Sequence, residues 1–207
     1  MTGSLAFITW LALAIQFVLQ VRSIEVTGFS FAKAATNFFS YFTVLSNILV
    51  AVTLTSELLS PRSFMARSFV QAAIAVFIFI VGLVYNLVLR TIWSPEGWQL
   101  LADNLLHVVV PVLYLLYWVL FSLKRSLGVK HLGAWLIFPA CYLGYSLIRG
   151  KIADWYPYPF LNTPDLGYQK VLSNSAMVLV SIIVTSLLIL WINNRTKLSR
   201  SNEAPAG

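Results

Sequence analysis

Residues 70–89 read VQAAIAVFIFIVGLVYNLVL, twenty positions with no charge and one amide side chain near each end. A bilayer core about 30 Å thick is crossed by about 20 apolar residues rising 1.5 Å each. A spanning strand would alternate apolar and polar positions. Continuous apolarity at this length instead points to a helix that satisfies its own backbone groups. Six runs of this kind cover Ser4 to Val21, Phe38 to Leu58, Ser68 to Leu89, Asn104 to Leu123, Leu132 to Ile148 and Val171 to Ile192. The first lacks a positively charged n-region and is followed by Arg22, so it reads as a retained helix rather than a cleaved signal.

Composition agrees. Hydrophobic residues make up 59% of the 207 positions, charged residues 10%, and mean hydropathy is +0.81, which excludes a soluble domain with a solvated surface. The pattern predicts an all-α fold: a polytopic membrane protein, a six-transmembrane-helix bundle in one domain over residues 1–192. The basic stretch 193–207 reads as a disordered tail. The net charge of +7 is spread over loop ends, so it predicts no nucleic-acid partner and fits topology and anionic headgroups. Six spans place both termini on one side. Of the 14 Lys and Arg residues, eight fall at the termini and in the second and fourth loops, which favours cytoplasmic termini. The single Cys141 excludes an internal disulfide, and with two histidines it leaves no zinc cluster; no metal and no cofactor are expected.

Polar residues break the apolar runs at a common level. In NFFSYFTVLSNIL, residues 37–49, Thr43 lies five residues into the second run, about 7 to 8 Å below its entry. Ser46 and Asn47 follow it at i+3 and i+4, on the same helix face. The fourth run opens with Asp103, Asn104 and His107; the third ends with Asn86; the sixth begins near Asn174. With alternating topology these four helix ends share one leaflet, which predicts an inward-facing polar pocket at which Thr43, Asn86, His107 and Asn174 converge. Pro111 cannot donate to the His107 carbonyl, so an unpaired acceptor and a kink are expected beside the imidazole.

A hydroxyl, an imidazole and a carboxylate are the parts of an acyl-transfer site. Thr43 would be the nucleophile, His107 the base and Asp103 the group that orients the ring, with Asn47, Asn104 or Asn174 donating to an oxyanion. Competing readings stand beside these. Thr43 can hydrogen-bond its own i−4 carbonyl, Asp103 can cap the fourth helix, His107 can be a packed ring, and the Asn residues can be interhelical glue. In the segment WYPYPFL, residues 155–161, Trp155 and Tyr158 are either interfacial anchors or part of a cap over the pocket that contacts an entering acyl chain.

The combination YFTVLSN, DNLLHVVVP and WYPYPFL, in this order and covering nearly the whole chain, resembles the androgen-induced membrane threonine hydrolases and their bacterial six-helix relatives. The resemblance implies a Thr and His pair matching Thr43 and His107. It also implies a bacterial cell membrane location and hydrolysis of lipid esters, notably fatty acid esters of hydroxy fatty acids. The chain departs from the eukaryotic pattern in having one His in DNLLHVVVP. The alternative from another class is a non-enzymatic lipid-binding or transport protein using the same pocket, against which stand the absence of an internal repeat and the placement of polarity near one face.

Overall fold

A computed structural model describes residues 1–28, 30–122 and 126–203 of the chain. Among these there is no strand. Nine α-helical segments follow one another: α1 (Thr2–Arg22), α2 (Ile24–Thr27), α3 (Phe31–Phe38), α4 (Phe42–Leu59), α5 (Ser68–Leu87), α6 (Gly97–Asn104), α7 (Val110–Leu120), α8 (Leu132–Ala153) and α9 (Thr163–Glu203). A π-helical turn, Leu105–Val109, joins α6 to α7 without interruption. Six helical stretches are long and apolar enough to cross a membrane: Thr2–Arg22, Phe42–Leu59, Ser68–Thr91, Gly97–Leu120, Val129–Ala153 and Thr163–Thr196.

The stretch that opened the sequence reading becomes α5, which lies at the centre. It packs against α4, α7 and α9, and Ala72, Ile74, Ala75, Val76 and Ile78 are buried on every side of the helix. An all-round apolar helix has no face to give to water, and the core is the one place it fits. Helix α1 covers α4, α3 and α6. At Gly82 the backbone of α5 packs close against the π turn. A Cβ built there would stand 3.3 Å from the His107 carbonyl oxygen and 3.5 Å from Pro111 Cβ, so the missing side chain permits the approach.

Several boundaries differ from expectation. The second span starts at Phe42 rather than Phe38, because α3 ends at Phe38 and the chain turns before α4 begins: Ser40 donates to the Asn37 carbonyl and Tyr41 to the Phe38 carbonyl. Tyr142 on α8 donates to the Ser40 carbonyl at 3.0 Å, fixing that turn. Thr43 is therefore the second residue of its helix and not five residues in. The fourth span starts at Gly97, a full two turns before the expected Asn104, so Asp103 lies inside a helix and does not cap one. Its expected end, Leu123, and the loop charges Lys124 and Arg125 lie outside the described residues. The last helix turns at Gly167 (φ 71°) and continues to Glu203. Helix thus replaces the disordered tail expected over 193–203, and residues 204–207 lie outside the described residues.

The segment after α8 is pinned along its length. Asp154 takes a left-handed conformation (φ 48°, ψ 41°) that ends the helix. The Trp155 ring lies under the Arg149 guanidinium, 4.5 Å from its centroid. The Tyr156 ring occupies the space a side chain at Gly150 would need, and its hydroxyl meets Thr163 Oγ1 at 2.6 Å. Asn174 holds the Phe160 carbonyl at 3.0 Å.

Replacing Gly82 with valine forces methyl groups against the π turn and is expected to cost about 1–3 kcal/mol, as overpacking does. Gly144 on α8 has nothing within 4 Å of its Cβ position. Gly144→Val should then stay within about 0.5 kcal/mol of the parent. Thermal unfolding of the purified protein in detergent compares the two; equal losses would show that the close approach at Gly82 is not a constraint.

Candidate active site

Thr43 is 6% exposed and meets two side chains from distant parts of the chain. Its Oγ1 lies 3.2 Å from His107 Nε2 and 3.2 Å from the Tyr158 hydroxyl. Elsewhere in this protein helical hydroxyls bond back to the carbonyl four residues earlier, as Thr9, Thr36, Ser175 and Ser181 do. Thr43 does not. The turn at 39–41 stands where its preceding helical turn would be, and the hydroxyl points to the imidazole instead.

The backbone of the π turn explains how the imidazole is held. Val110 donates to the Leu105 carbonyl, five residues back. In that register the Leu106 carbonyl would receive its bond from residue 111, a proline with no N–H. Asn47 supplies the missing donor: its Nδ2 gives bonds to the Leu106 carbonyl at 3.1 Å and to the Thr43 carbonyl at 2.8 Å. The orphan acceptor expected at His107 thus appears one residue earlier, and Asn47 serves as a brace between α4 and the π turn rather than as a substrate contact.

His107 Nδ1 lies 3.0 Å from the Asp103 carbonyl oxygen. A carbonyl only accepts, so Nδ1 carries the proton of the neutral ring and Nε2 presents a lone pair to Thr43. The directions along the chain of contacts follow: Tyr158 O–H to Thr43 Oγ1, Thr43 O–H to His107 Nε2, His107 Nδ1–H to the Asp103 carbonyl. Tyr85 stacks on the imidazole with centroids 4.0 Å apart and 15° between planes, which leaves the ring little freedom to tip. The Tyr158 hydroxyl also accepts the Thr43 amide at 3.2 Å. Burial pushes the Tyr158 phenol above its ordinary pKa of 10.0, against the lowering effect of its bonds to Thr43, so the hydroxyl remains a protonated donor.

The expectation that the Asp103 carboxylate orients His107 is corrected here. That carboxylate accepts from Trp93 Nε1 at 2.7 Å, Gln99 Nε2 at 3.2 Å and Tyr85 at a long 3.5 Å, while the residue's backbone oxygen meets the ring. Asp103 therefore positions His107 through its main chain.

Two cavities flank Thr43. One, of about 550 Å³, runs between α5, α8 and α9 and is lined by Ile80, Val84, Leu136, Pro139, Leu143 and Leu179 among others. The second, of about 410 Å³, holds His107, Asp103, Gln16, Gln99, Trp93 and Tyr41. Thr43, Tyr85, Leu89 and Tyr158 line both, so the hydroxyl stands in the partition. The aromatic segment contributes Pro157, Tyr158 and Pro159 to the second cavity and Tyr158, Phe160 and Leu161 to the first, a cap over both.

Of the four residues expected to converge, Thr43 and His107 meet and Asn86 and Asn174 do not; of the other candidates, Asp103 and Tyr158 line the same cavity as that pair, while Ser46, Asn104 and Trp155 do not. Asn86 is exposed, bonded to the Gly82 carbonyl and to Arg90. Asn104 is half-buried and lines neither cavity. Asn174 holds the aromatic segment from outside, and Trp155 packs on Arg149 and edge-on to Tyr41. Ser46 is fully buried, lines neither cavity, and its hydroxyl has no partner among the described residues. Tyr85, Trp93, Gln16 and Gln99 went unread. Tyr85 lies three residues after Gly82 on the face that meets the π turn, a signal available at the neighbour of Asn86.

No family model, no curated protein and no solved structure matches the chain.

The tautomer is directly measurable. Nitrogen-15 spectra of the protein with labelled histidine should show His107 neutral with the proton on Nδ1 and with Nε2 bare; a proton on Nε2 would reverse the direction of the contact with Thr43.

Proposed function

We propose that this chain is a multi-pass membrane enzyme, both termini cytoplasmic, that hydrolyses lipid esters through an acyl intermediate on Thr43. One observation carries the reading: a buried threonine hydroxyl freed from its own helix donates to a base nitrogen whose opposite nitrogen is fixed by a backbone acceptor, at the boundary between an apolar and a polar cavity.

As Thr43 Oγ1 attacks the ester carbonyl carbon, its proton passes to His107 Nε2 and the carbonyl electron pair moves to oxygen. Tyr158 and the first-turn amides of α4 face the charge that develops. Phe42, Thr43 and Val44 precede the first intrahelical donor of α4, the Leu45 N–H that bonds to the Tyr41 carbonyl, so their own N–H groups have no intrahelical partner and carry the positive end of the helix dipole. Collapse reforms the carbonyl and breaks the bond to the alcohol oxygen, which takes the proton from His107. Water then attacks acyl-Thr43 while giving a proton to His107. The second collapse releases the fatty acid and returns that proton to Thr43 Oγ1. The imidazolium formed in each half is held by the Asp103 carbonyl dipole and, more distantly, by the Asp103 carboxylate in the same cavity.

The apolar cavity reaches into the level of the spanning helices and suits an acyl chain. The polar one lies beside Ser23, Gln20 and Trp93 near helix ends and suits the alcohol portion and the incoming water.

His107→Gln keeps hydrogen bonding and removes proton transfer, so ester hydrolysis should fall by at least about two orders of magnitude in a folded protein. Tyr158→Phe keeps the ring packing and should cost about two to three orders in kcat, the range for loss of one oxyanion donor. Thr43→Ser should retain turnover where Thr43→Ala abolishes it. Turnover by His107→Gln at the parent rate would remove the base from the scheme.

A further inference from the structure

Of the two cavities beside Thr43, the apolar one has an open side. Its back wall is α5, where Ile80 and Val81 are buried. Its edges are Ala140 on α8 and Leu172, Ala176 and Leu179 on α9, and all four are exposed, Leu172 by 56% and Leu179 by 45%. A side chain that lines a cavity and also faces outward stands at its mouth. The mouth is therefore the seam between α8 and α9. Little closes it: α8 is the least buried of the six spans, and Gly144, one turn beyond Ala140, has nothing within 4 Å of its Cβ position. Pro139, beside Ala140, also lines the cavity and cannot donate to the Trp135 carbonyl, so this wall lacks one of its own backbone bonds.

Depth decides what can pass this seam. Ala140 lies about 12 Å along α8 from Leu132 and about 20 Å from Ala153. In a helix that crosses a hydrocarbon core about 30 Å thick, that position faces acyl chains and not water. From the mouth the cavity continues inward to Thr43 and Tyr158. A methylene chain moving from bilayer to cavity exchanges one apolar surrounding for another and strips water from no polar group. Entry through the second cavity would instead dehydrate Gln16, Gln99 and Asp103 with no hydrogen bond offered in return.

We infer that the acyl chain of a bilayer-dissolved ester enters sideways between α8 and α9, and that its far end stays in contact with hydrocarbon while the ester carbonyl sits at Thr43. This rests on the hydrolase reading and deepens it by giving the substrate its route. The open side also sets chain-length behaviour. The α9 lining runs from Leu172 to Ile182, about 15 Å. With carbon–carbon bonds near 1.5 Å, an extended chain advances about 1.3 Å per carbon, so that length takes up about a dozen carbons. A closed pocket would reject a longer chain; an open cleft lets the excess pass out through the seam.

The full-length protein, reconstituted in phosphatidylcholine vesicles, is assayed on nitrophenyl esters that share the leaving group and differ in the acyl chain: butyryl, lauroyl, palmitoyl and arachidoyl. Ala140→Trp and Ala176→Trp each place an indole in the mouth. A long chain that loses two methylene contacts to it binds roughly tenfold less well, so the palmitoyl-to-butyryl ratio in kcat/KM should fall about tenfold in both variants. Ile137→Trp and Val184→Trp put the same ring on exposed positions of α8 and α9 that do not line the cavity, and should leave the ratio at the parent value. A ratio that the mouth variants do not lower, or that the outer variants lower as much, would overturn the lateral route and leave the hydrolase reading intact. The parent alone gives a second test that needs no variant to fold. Lauroyl and arachidoyl esters should turn over alike, and a steep fall beyond about a dozen carbons would mark a closed pocket and overturn the open side. Hydrolysis of none of the four esters would overturn both readings.

Discussion

A 3.2 Å contact between Thr43 and His107 depends on two departures from regular α-helix. Had α3 run straight into α4, the Thr43 hydroxyl would have the usual carbonyl four residues back and would bond to it. Had α6 run into α7 without a π turn, the faces beyond it would be rotated by about 100°, the angle of one residue, and the side chains carried past the turn would face elsewhere. Asn47 ties the two irregularities together, with one amide nitrogen on the Thr43 carbonyl and on the Leu106 carbonyl that Pro111 leaves without a donor. Each such buried bond is worth about 1 kcal/mol net, but leaving the acceptor unmade would cost about 1–3 kcal/mol. The brace matters more for what its absence would expose than for what it adds.

The relay is built from neutral groups. A charged carboxylate orienting the imidazole would have to be desolvated beside an apolar cavity, a penalty of several kcal/mol before any compensation. A backbone carbonyl supplies the same directional information, fixing the Nδ1–H tautomer, without carrying a net charge. Asp103 is thereby released to the polar cavity, where Trp93 and Gln99 bind its carboxylate. The separation also sorts the two cavities by polarity on either side of one hydroxyl, a division that an amphiphilic ester can use and that a simple packed threonine would not need.

Much of this was legible before any coordinates. Length and continuous apolarity placed the spanning helices, because those properties follow from backbone satisfaction in hydrocarbon and not from packing detail. Thr43 and His107 were legible because a polar group within an apolar run must find a partner, and Tyr158 because its aromatic segment could cap the pocket. The misplaced residues failed for a geometric reason. Sequence spacing gives level along a helix well, but angular position only if the helix is regular and its start is known. Here α6 starts seven residues early, so Asp103 lost its capping role; α5 starts at Ser68 as expected, yet Asn86 faces outward while its neighbour Tyr85 meets His107. The π turn could be suspected from Pro111, yet which carbonyl it would orphan depends on hydrogen-bond register, a property of the folded turn.

A binding or transport protein could use two cavities and a capping segment as well; what it does not require is a nucleophile. The most direct measurement is covalent capture. The purified protein is treated with a long-chain fluorophosphonate, digested, and the modified peptide is sequenced by mass spectrometry, with His107→Gln treated in parallel. The account predicts a single stoichiometric adduct on Thr43 that His107→Gln suppresses. An adduct on another residue, or none in a protein that hydrolyses esters, would contradict it.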